Sequence, residues 1–208
     1  MSIEDKLCDL VKRYRQELKG KIEERITEMD NDSNKHYFIY KVLGIDVLEG
    51  RNIDEYQNKG RFLYKYAGSF LEEATILCFE YAFENTKRKI KVNNTIGYRP
   101  KTFEIDCLVD NKYAYEIKWR DATTDGDHIT KEHTRVQNIK ENGYIPVRIM
   151  FYYPNRVQAI RTQGTLKTLY NGVEGEYYSG QEAWDYVLLK TGIDLYQILE
   201  KITENMEG

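Results

Sequence analysis

Apolar residues recur at helical spacing from the start of the chain: Ile3, Leu7, Leu10, Val11, Tyr14 and Leu18, with the stripe continuing through Ile22, Ile26 and Met29. Steps of three and four put these side chains on one face of an α-helix, which predicts a helix packed on its own domain. Residues 31–60 are mixed in pattern and read as loop-rich, whereas the helical period returns strongly from Tyr64 to Phe83. A turn at 97–100 then changes the period to that of strands. Two extended segments, Thr102–Val109 and Lys112–Trp119, are joined by Asp110-Asn111, a tight-turn pair between β-rich runs, and this predicts a hairpin. A polar helix is expected over Asp127–Asn142, stopping near Gly143. The β-branched and aromatic run Ile145–Tyr153 reads as a buried strand, and helices follow over Arg156–Leu169, Gly180–Leu189 and Ile193–Asn205. Strands alternating with helices predict an α/β fold, a mixed central β-sheet flanked by helices on both faces.

Composition narrows this picture. The 208 residues fit one compact unit over 1–208, with a catalytic core at about 65–155, an N-terminal helical segment at 1–60 and C-terminal helices at 156–205. No internal repeat, low-complexity tract or Pro/Gly-rich linker interrupts it. Hydrophobic residues at 41% can fill a core, while 31% charged residues and a mean hydropathy of -0.69 exclude a membrane protein. No apolar run approaches the ~20 residues that span a bilayer. The first residues lack the basic start and apolar stretch of a secretory signal. Cys8, Cys78 and Cys107 are odd in number, widely spaced and set among apolar residues, as expected of reduced thiols in a cytoplasmic protein. A net charge of -3 says nothing about partners, because the local field at a contact decides binding.

Candidate chemistry concentrates in residues 103–119, FEIDCLVDNKYAYEIKW. Alternation puts Glu116 and Lys118 on one face of the second strand and Tyr115 and Ile117 on the other. If Val109 faces Tyr113 across the hairpin, Asp106 comes opposite Glu116. Two carboxylates and a lysine then meet on one face. Adjacent carboxylates repel and are costly to bury unless a cation joins them. A hard, oxygen-preferring divalent ion such as Mg2+ suits such a pair, and it keeps waters and phosphate oxygens in its remaining positions. The charged lysine cannot ligate metal, but it can hold or deprotonate an attacking water and offset charge building on phosphorus. Asp106, Glu116 and Lys118 are thus the candidate catalytic residues for phosphodiester hydrolysis. The same residues also suit a solvated cross-strand ion pair on an edge strand.

The helix upstream bears on that choice. In GSFLEEATILCFEYAFE, Glu73, Glu80 and Glu84 lie along one stripe and look solvated. Glu72 instead shares a stripe with Ile76, Phe79 and Phe83 at about 100° per residue, which turns it toward the core. A core-facing carboxylate needs a partner, either a metal on the neighbouring sheet or a buried Lys or Arg.

A core-facing Glu on a helix, an Asp in a hairpin and then Glu-x-Lys resembles the PD-(D/E)xK nuclease superfamily over roughly residues 65–155, with Ile105 standing where the motif nominally has proline. Within it, YEIKWRDATTDGDHITKEHTR resembles type II restriction endonucleases of the ApaLI-like group. The resemblance implies a restriction-endonuclease-like core, with Asp106, Glu116 and Glu72 as metal ligands. It also implies a homodimer that cuts both strands of a short palindromic DNA site and leaves 5'-phosphates. A structure-specific repair nuclease or junction resolvase of the same superfamily, and a non-catalytic DNA-binding domain, are the alternatives.

Residues directly after the second strand would lie near a scissile phosphate. Arg120, His128, Lys131 and Arg135 are candidates for phosphate or base contact, with His133 beside them. Asp125 and Asp127, with Asp121, could accept from cytosine. The basic run Lys87-Arg88-Lys89, with Lys91, could track the DNA backbone or form ordinary solvated surface.

Overall fold

The computed structural model describes residues 1–97, 99–120 and 126–207; the side chains at 126–128 and 207 are outside that description. The chain divides into two compact units, Cys8–Phe70, and Met1–Leu7 together with Leu71–Gly208.

The first unit contains most of helix α1 (Ile3–Asp30), a 3-10 turn (Asn34–His36), helix α2 (Tyr37–Val42) and the first two-thirds of helix α3 (Val47–Ala82). The stretch read as loop-rich therefore holds a short helix and the beginning of a long one. The pattern hid them because several inward positions of α3 are polar while many apolar ones face out. Asp54 accepts from the Tyr40 hydroxyl at 2.9 Å, and Asn58 meets α1 through Arg25 Nε at 3.3 Å and Met29 Sδ at 3.7 Å. Gly50 lets α2 lie close on α3, since a Cβ there would come 2.5 Å from the Tyr40 ring.

The second unit is built on a five-stranded mixed sheet, in the spatial order β1 (Thr86–Asn93), β2 (Thr102–Val109), β3 (Tyr113–Arg120), β4 (Ile145–Tyr152), β5 (Glu176–Ser179). The pairs β1·β2 and β2·β3 are antiparallel, and β3·β4 and β4·β5 are parallel. Helix α4 (Gly126–Glu141) forms the crossover from β3 to β4 and helix α5 (Val157–Gly172) that from β4 to β5. Helices α6 (Gln181–Thr191) and α7 (Leu195–Glu207) complete the chain. This is the expected mixed sheet with helices on both faces. Tyr115 on β3 stacks on Phe79 of α3 at 4.4 Å, and its hydroxyl lies 3.1 Å from that of Tyr186 on α6. The other face buries Met150 of β4 with Val136 of α4 and Leu166 and Tyr170 of α5. Among the described residues no helix is long and apolar enough to cross a membrane.

Two edge strands had no clear signal in the pattern. In β1 only Ile90 and Val92 alternate inward among charged residues, a common way of protecting an edge. β5 is four residues long, too short to display a period. The hairpin falls where expected: Asp110 and Asn111 adopt left-handed φ of 54° and 50°, the Lys112 N–H donates to the Val109 carbonyl at 3.0 Å, and Val109 faces Tyr113.

The Phe79–Tyr115 stack joins α3 to the middle of the sheet, so Phe79→Ala should lower the unfolding free energy by about 3 to 5 kcal/mol, as for other buried aromatic truncations. Urea denaturation of the full chain, followed by circular dichroism, measures this.

Candidate active site

Pairing between β2 and β3 runs from Val109↔Tyr113 through Cys107↔Tyr115. Beyond that point β2 follows β1 out to Thr102, and β3 follows β4 out to Arg120. The two central strands thus fork just past Cys107 and Tyr115, and Asp106, Glu116 and Lys118 stand at the fork. The Ile117 N–H donates to Asp106 Oδ2 at 2.8 Å. The carboxylate therefore does the work of the lost ladder bond and is held in place by it.

The three side chains converge. Lys118 Nζ lies 2.6 Å from Glu116 Oε1 and 3.8 Å from Asp106 Oδ2. Lys118 keeps 36% of its side chain exposed, whereas Asp106 and Glu116 keep 13% and 11%. The cluster therefore opens to solvent through the amine. Burial, reinforced by repulsion from Glu116, pushes the Asp106 carboxyl up to about 7, against the pull of Lys118 and Arg135. Burial also works against ionised Glu116, but Arg135, Lys118 and Arg148 outweigh it and hold that carboxyl below the ordinary range. For Lys118 burial favours the neutral amine, yet Glu116 and Asp106 prevail and raise its pKa. The resting lysine is protonated, which suits it to donate hydrogen bonds and offset negative charge rather than to remove a proton.

Behind the cluster lies a buried ionic network. Arg135 on α4 ion-pairs with Glu116 Oε2 and donates to the Glu104 carbonyl at 3.1 Å. Its Nη1 is 3.3 Å from Glu132 Oε1, and Arg148 Nη1 on β4 approaches the same oxygen at 3.3 Å. The Tyr170 hydroxyl of α5 donates to that oxygen at 2.6 Å. Glu132, Arg135 and Arg148 are all buried. One oxygen of Glu116 is thereby committed to Arg135, and the other faces Lys118 and the opening. Sequence reasoning missed Glu132, Arg148 and Tyr170. A signal existed for Arg148: a single charge in the middle of the apolar run Ile145–Tyr153 has to be paired once that strand is buried.

The other expected site residues are distributed as follows. Glu72 is half-buried at 25% exposure and pairs with Lys89 at 3.9 Å. Burial raises its pKa, partly offset by Lys118 and Lys89, while Glu116 and Glu104 add to the rise, so Glu72 sits in the field of the cluster. Among the described residues no group of three or more His, Cys, Asp or Glu side chains is placed to hold a metal ion. Glu73 and Glu80, expected to be solvated, instead engage Arg88 of β1, at 3.7 Å for Glu73 and 2.5 Å for Glu80. Lys87 donates to Asn111 Oδ1 at 2.7 Å, so this part of the basic run is tied to its own fold. Arg135, expected among DNA-contacting residues, is instead buried against Glu116 and Glu132, because α4 turns that face onto the sheet. Arg120 and Lys131 are exposed. Asp121, Asp125 and the side chains of Asp127 and His128 lie outside the described residues.

Asp106 and the outward oxygen of Glu116 fit a hard divalent cation. They are oxygen donors, one carboxyl is destabilised as an anion by burial and by its neighbour, and Mg2+ needs only one or two protein carboxylates beside water and phosphate. A family model described as ApaLI-like restriction endonuclease matches residues 1–204. No curated protein and no solved structure matches the chain. With the family model covering nearly its whole length, the chain belongs to the ApaLI-like restriction endonuclease family, nucleases that hydrolyse DNA.

Proposed function

We propose that this protein is a Mg2+-dependent type II restriction endonuclease that cuts both strands of a short palindromic DNA site as a homodimer, leaving 5'-phosphates. The observation that carries the reading is the convergence of Asp106, Glu116 and Lys118 at the fork of β2 and β3.

Asp106 and Glu116 would hold the ion, with Glu72 close enough to add to the negative field. When bound, Mg2+ supplies Lewis acidity toward a phosphate oxygen and lowers the pKa of water. The remaining roles belong to the chain. Asp106 is fixed by the Ile117 N–H and Glu116 by Arg135, so neither has to reorganise as charge develops. Protonated Lys118, partly exposed beside Glu116, orients the attacking water and offsets the negative charge that builds on the phosphoryl oxygens. The water oxygen bonds to phosphorus as the bond to the 3'-oxygen breaks. Exposed Arg120, at the end of the strand that carries Lys118, and Lys131 on α4 are suited to contact the DNA backbone. Asp125, Asp127 and His128, in the segment that follows β3, are the proposed base-contacting residues.

Incubation with plasmid DNA tests the reading: discrete bands appear with Mg2+ and vanish with EDTA, whereas branch-selective cutting would mark a resolvase and intact DNA a non-catalytic domain. Asp106→Ala, Glu116→Ala and Lys118→Ala should each slow cutting by roughly 100-fold or more while the circular dichroism spectrum is unchanged. Glu72→Gln should impair cutting or shift the Mg2+ requirement, and Glu73→Gln should do little.

Arg135→Met should reduce activity by about 10- to 100-fold, the usual effect of losing a residue that orients a ligand. Arg135→Lys, which retains the charge, should recover part of it. Initial rates across a Mg2+ titration measure both.

A further inference from the structure

The ladder between β1 and β2 has a gap where the active site begins. Arg88 faces Cys107 and Ile90 faces Ile105, but the pair between them, Lys89 and Asp106, drops out of the register. Lys89 takes a left-handed φ of 49°; among the described residues it is the only non-glycine residue inside a strand to do so. The two strands change faces at this point. Arg88 reaches Glu73 and Glu80 on α3, and the Cys107 thiol lies in the field of the same Arg88 and Glu80. Ile90 and Ile105 instead pack with Phe103 and with Ile139 of α4. Residues two apart in a regular strand share a face, so the left-handed residue is what turns β1 over.

Glycine adopts such a backbone without penalty, so the turn itself does not call for a lysine. Nor does the one contact its side chain makes. Lys89 Nζ lies 3.9 Å from Glu72 Oε1 and the lysine side chain is 64% exposed. An exposed ion pair of that length gains less than left-handed backbone costs at a residue with a Cβ. Its basic neighbours are occupied by the fold, Lys87 on Asn111 and Arg88 on the acids of α3. Lys89 is thus a second amine beside the acids of the site. Glu72 feels both Lys118 and Lys89, one from β3 and one from β1, with Asp106 on the strand between.

We propose that Lys89 is a DNA-binding residue of the active site, whose ammonium takes a non-bridging oxygen of the phosphate next to the scissile one. Neighbouring strands lie about 4.8 Å apart, so β1 and β3 are separated by roughly 10 Å or more across β2. That spacing assigns the two lysines to different phosphates, Lys118 to the reacting group and Lys89 to its neighbour on the β1 side. The inference rests on the proposed reading of Asp106, Glu116 and Lys118 as the place where a DNA phosphate sits.

Fluorescence anisotropy of a labelled mixed-sequence DNA duplex, with EDTA present so that nothing is cut, tests it across a salt series. Lys89→Gln should weaken binding by roughly 5- to 10-fold and make the slope of log K against log salt shallower by about one, the loss of one phosphate contact. Lys89→Arg should keep most of the affinity. Lys140→Gln, the same change of charge at a lysine paired with Glu174, should stay within about twofold of wild type. Lys89→Gly should bind as weakly as Lys89→Gln while melting no lower than wild type, because the left-handed backbone is then free of strain. A Lys89→Gln protein with wild-type affinity and salt slope, or a loss equalled by Lys140→Gln, would overturn the assignment, as would a wild type that does not bind the duplex. Binding that depends on Lys89 in a protein that cuts no plasmid with Mg2+ would instead count against the nuclease reading.

Discussion

The forking of β2 from β3 is the constraint on which the site depends. Two strands of an antiparallel pair normally satisfy each other's backbone groups along their whole length. Here the ladder ends at Cys107 and Tyr115, and the next N–H is satisfied by the Asp106 carboxylate. Each strand keeps its outer neighbour, β1 for β2 and β4 for β3, so the sheet survives the opening. The consequence is an acidic side chain held by a backbone donor at the point where the sheet becomes accessible. Glu116 and Lys118 reach the same point because alternate residues of β3 share a face.

A fork lined with acids is electrostatically unfavourable, and the protein meets this with cations on two sides. Lys118 stands at the solvent side and Arg135 behind, so the two oxygens of Glu116 have different fates. Arg135 is in turn balanced by Glu132, on whose Oε1 Arg148 and Tyr170 also converge. Removing one member of a buried network of this kind commonly costs about 3 to 5 kcal/mol, because a desolvated charge is left behind. Helices α4 and α5 and strand β4 are therefore tied to the reactive carboxylate by charge as well as by apolar packing. With Arg135 on one oxygen of Glu116 and Lys118 on the other, Asp106, raised by burial and by Glu116, is the carboxyl of the three with the greatest remaining demand for positive charge.

The helical unit Cys8–Phe70 obeys a different rule. Where the sheet unit buries a conventional core around Phe79, Tyr115 and Met150, the helices place polar groups such as Asp54 and Asn58 inward and an apolar seam outward. Inverted amphipathicity of this kind explains why 31–60 reads as loop.

Local pattern in the sequence was sufficient for the helix over Tyr64–Phe83, the hairpin at Asp110-Asn111 with its register, the buried strand from Ile145, and the shared face of Glu116 and Lys118, because each follows from a period of two or three to four residues and from turn chemistry. Alternation alone placed Asp106 near Glu116, but it could not show that pairing stops there, since strand separation depends on neighbours that are distant along the chain. Tertiary structure likewise decided that Arg135 serves the carboxylate from within, that Arg148 has Glu132 as its partner, and that Glu73 and Glu80 engage Arg88. The charged edge strand β1 and the four-residue β5 were also settled only by pairing, which a single segment does not encode. Periodicity reports which way a side chain points within its own element; what it meets there is set by the other elements the fold brings across.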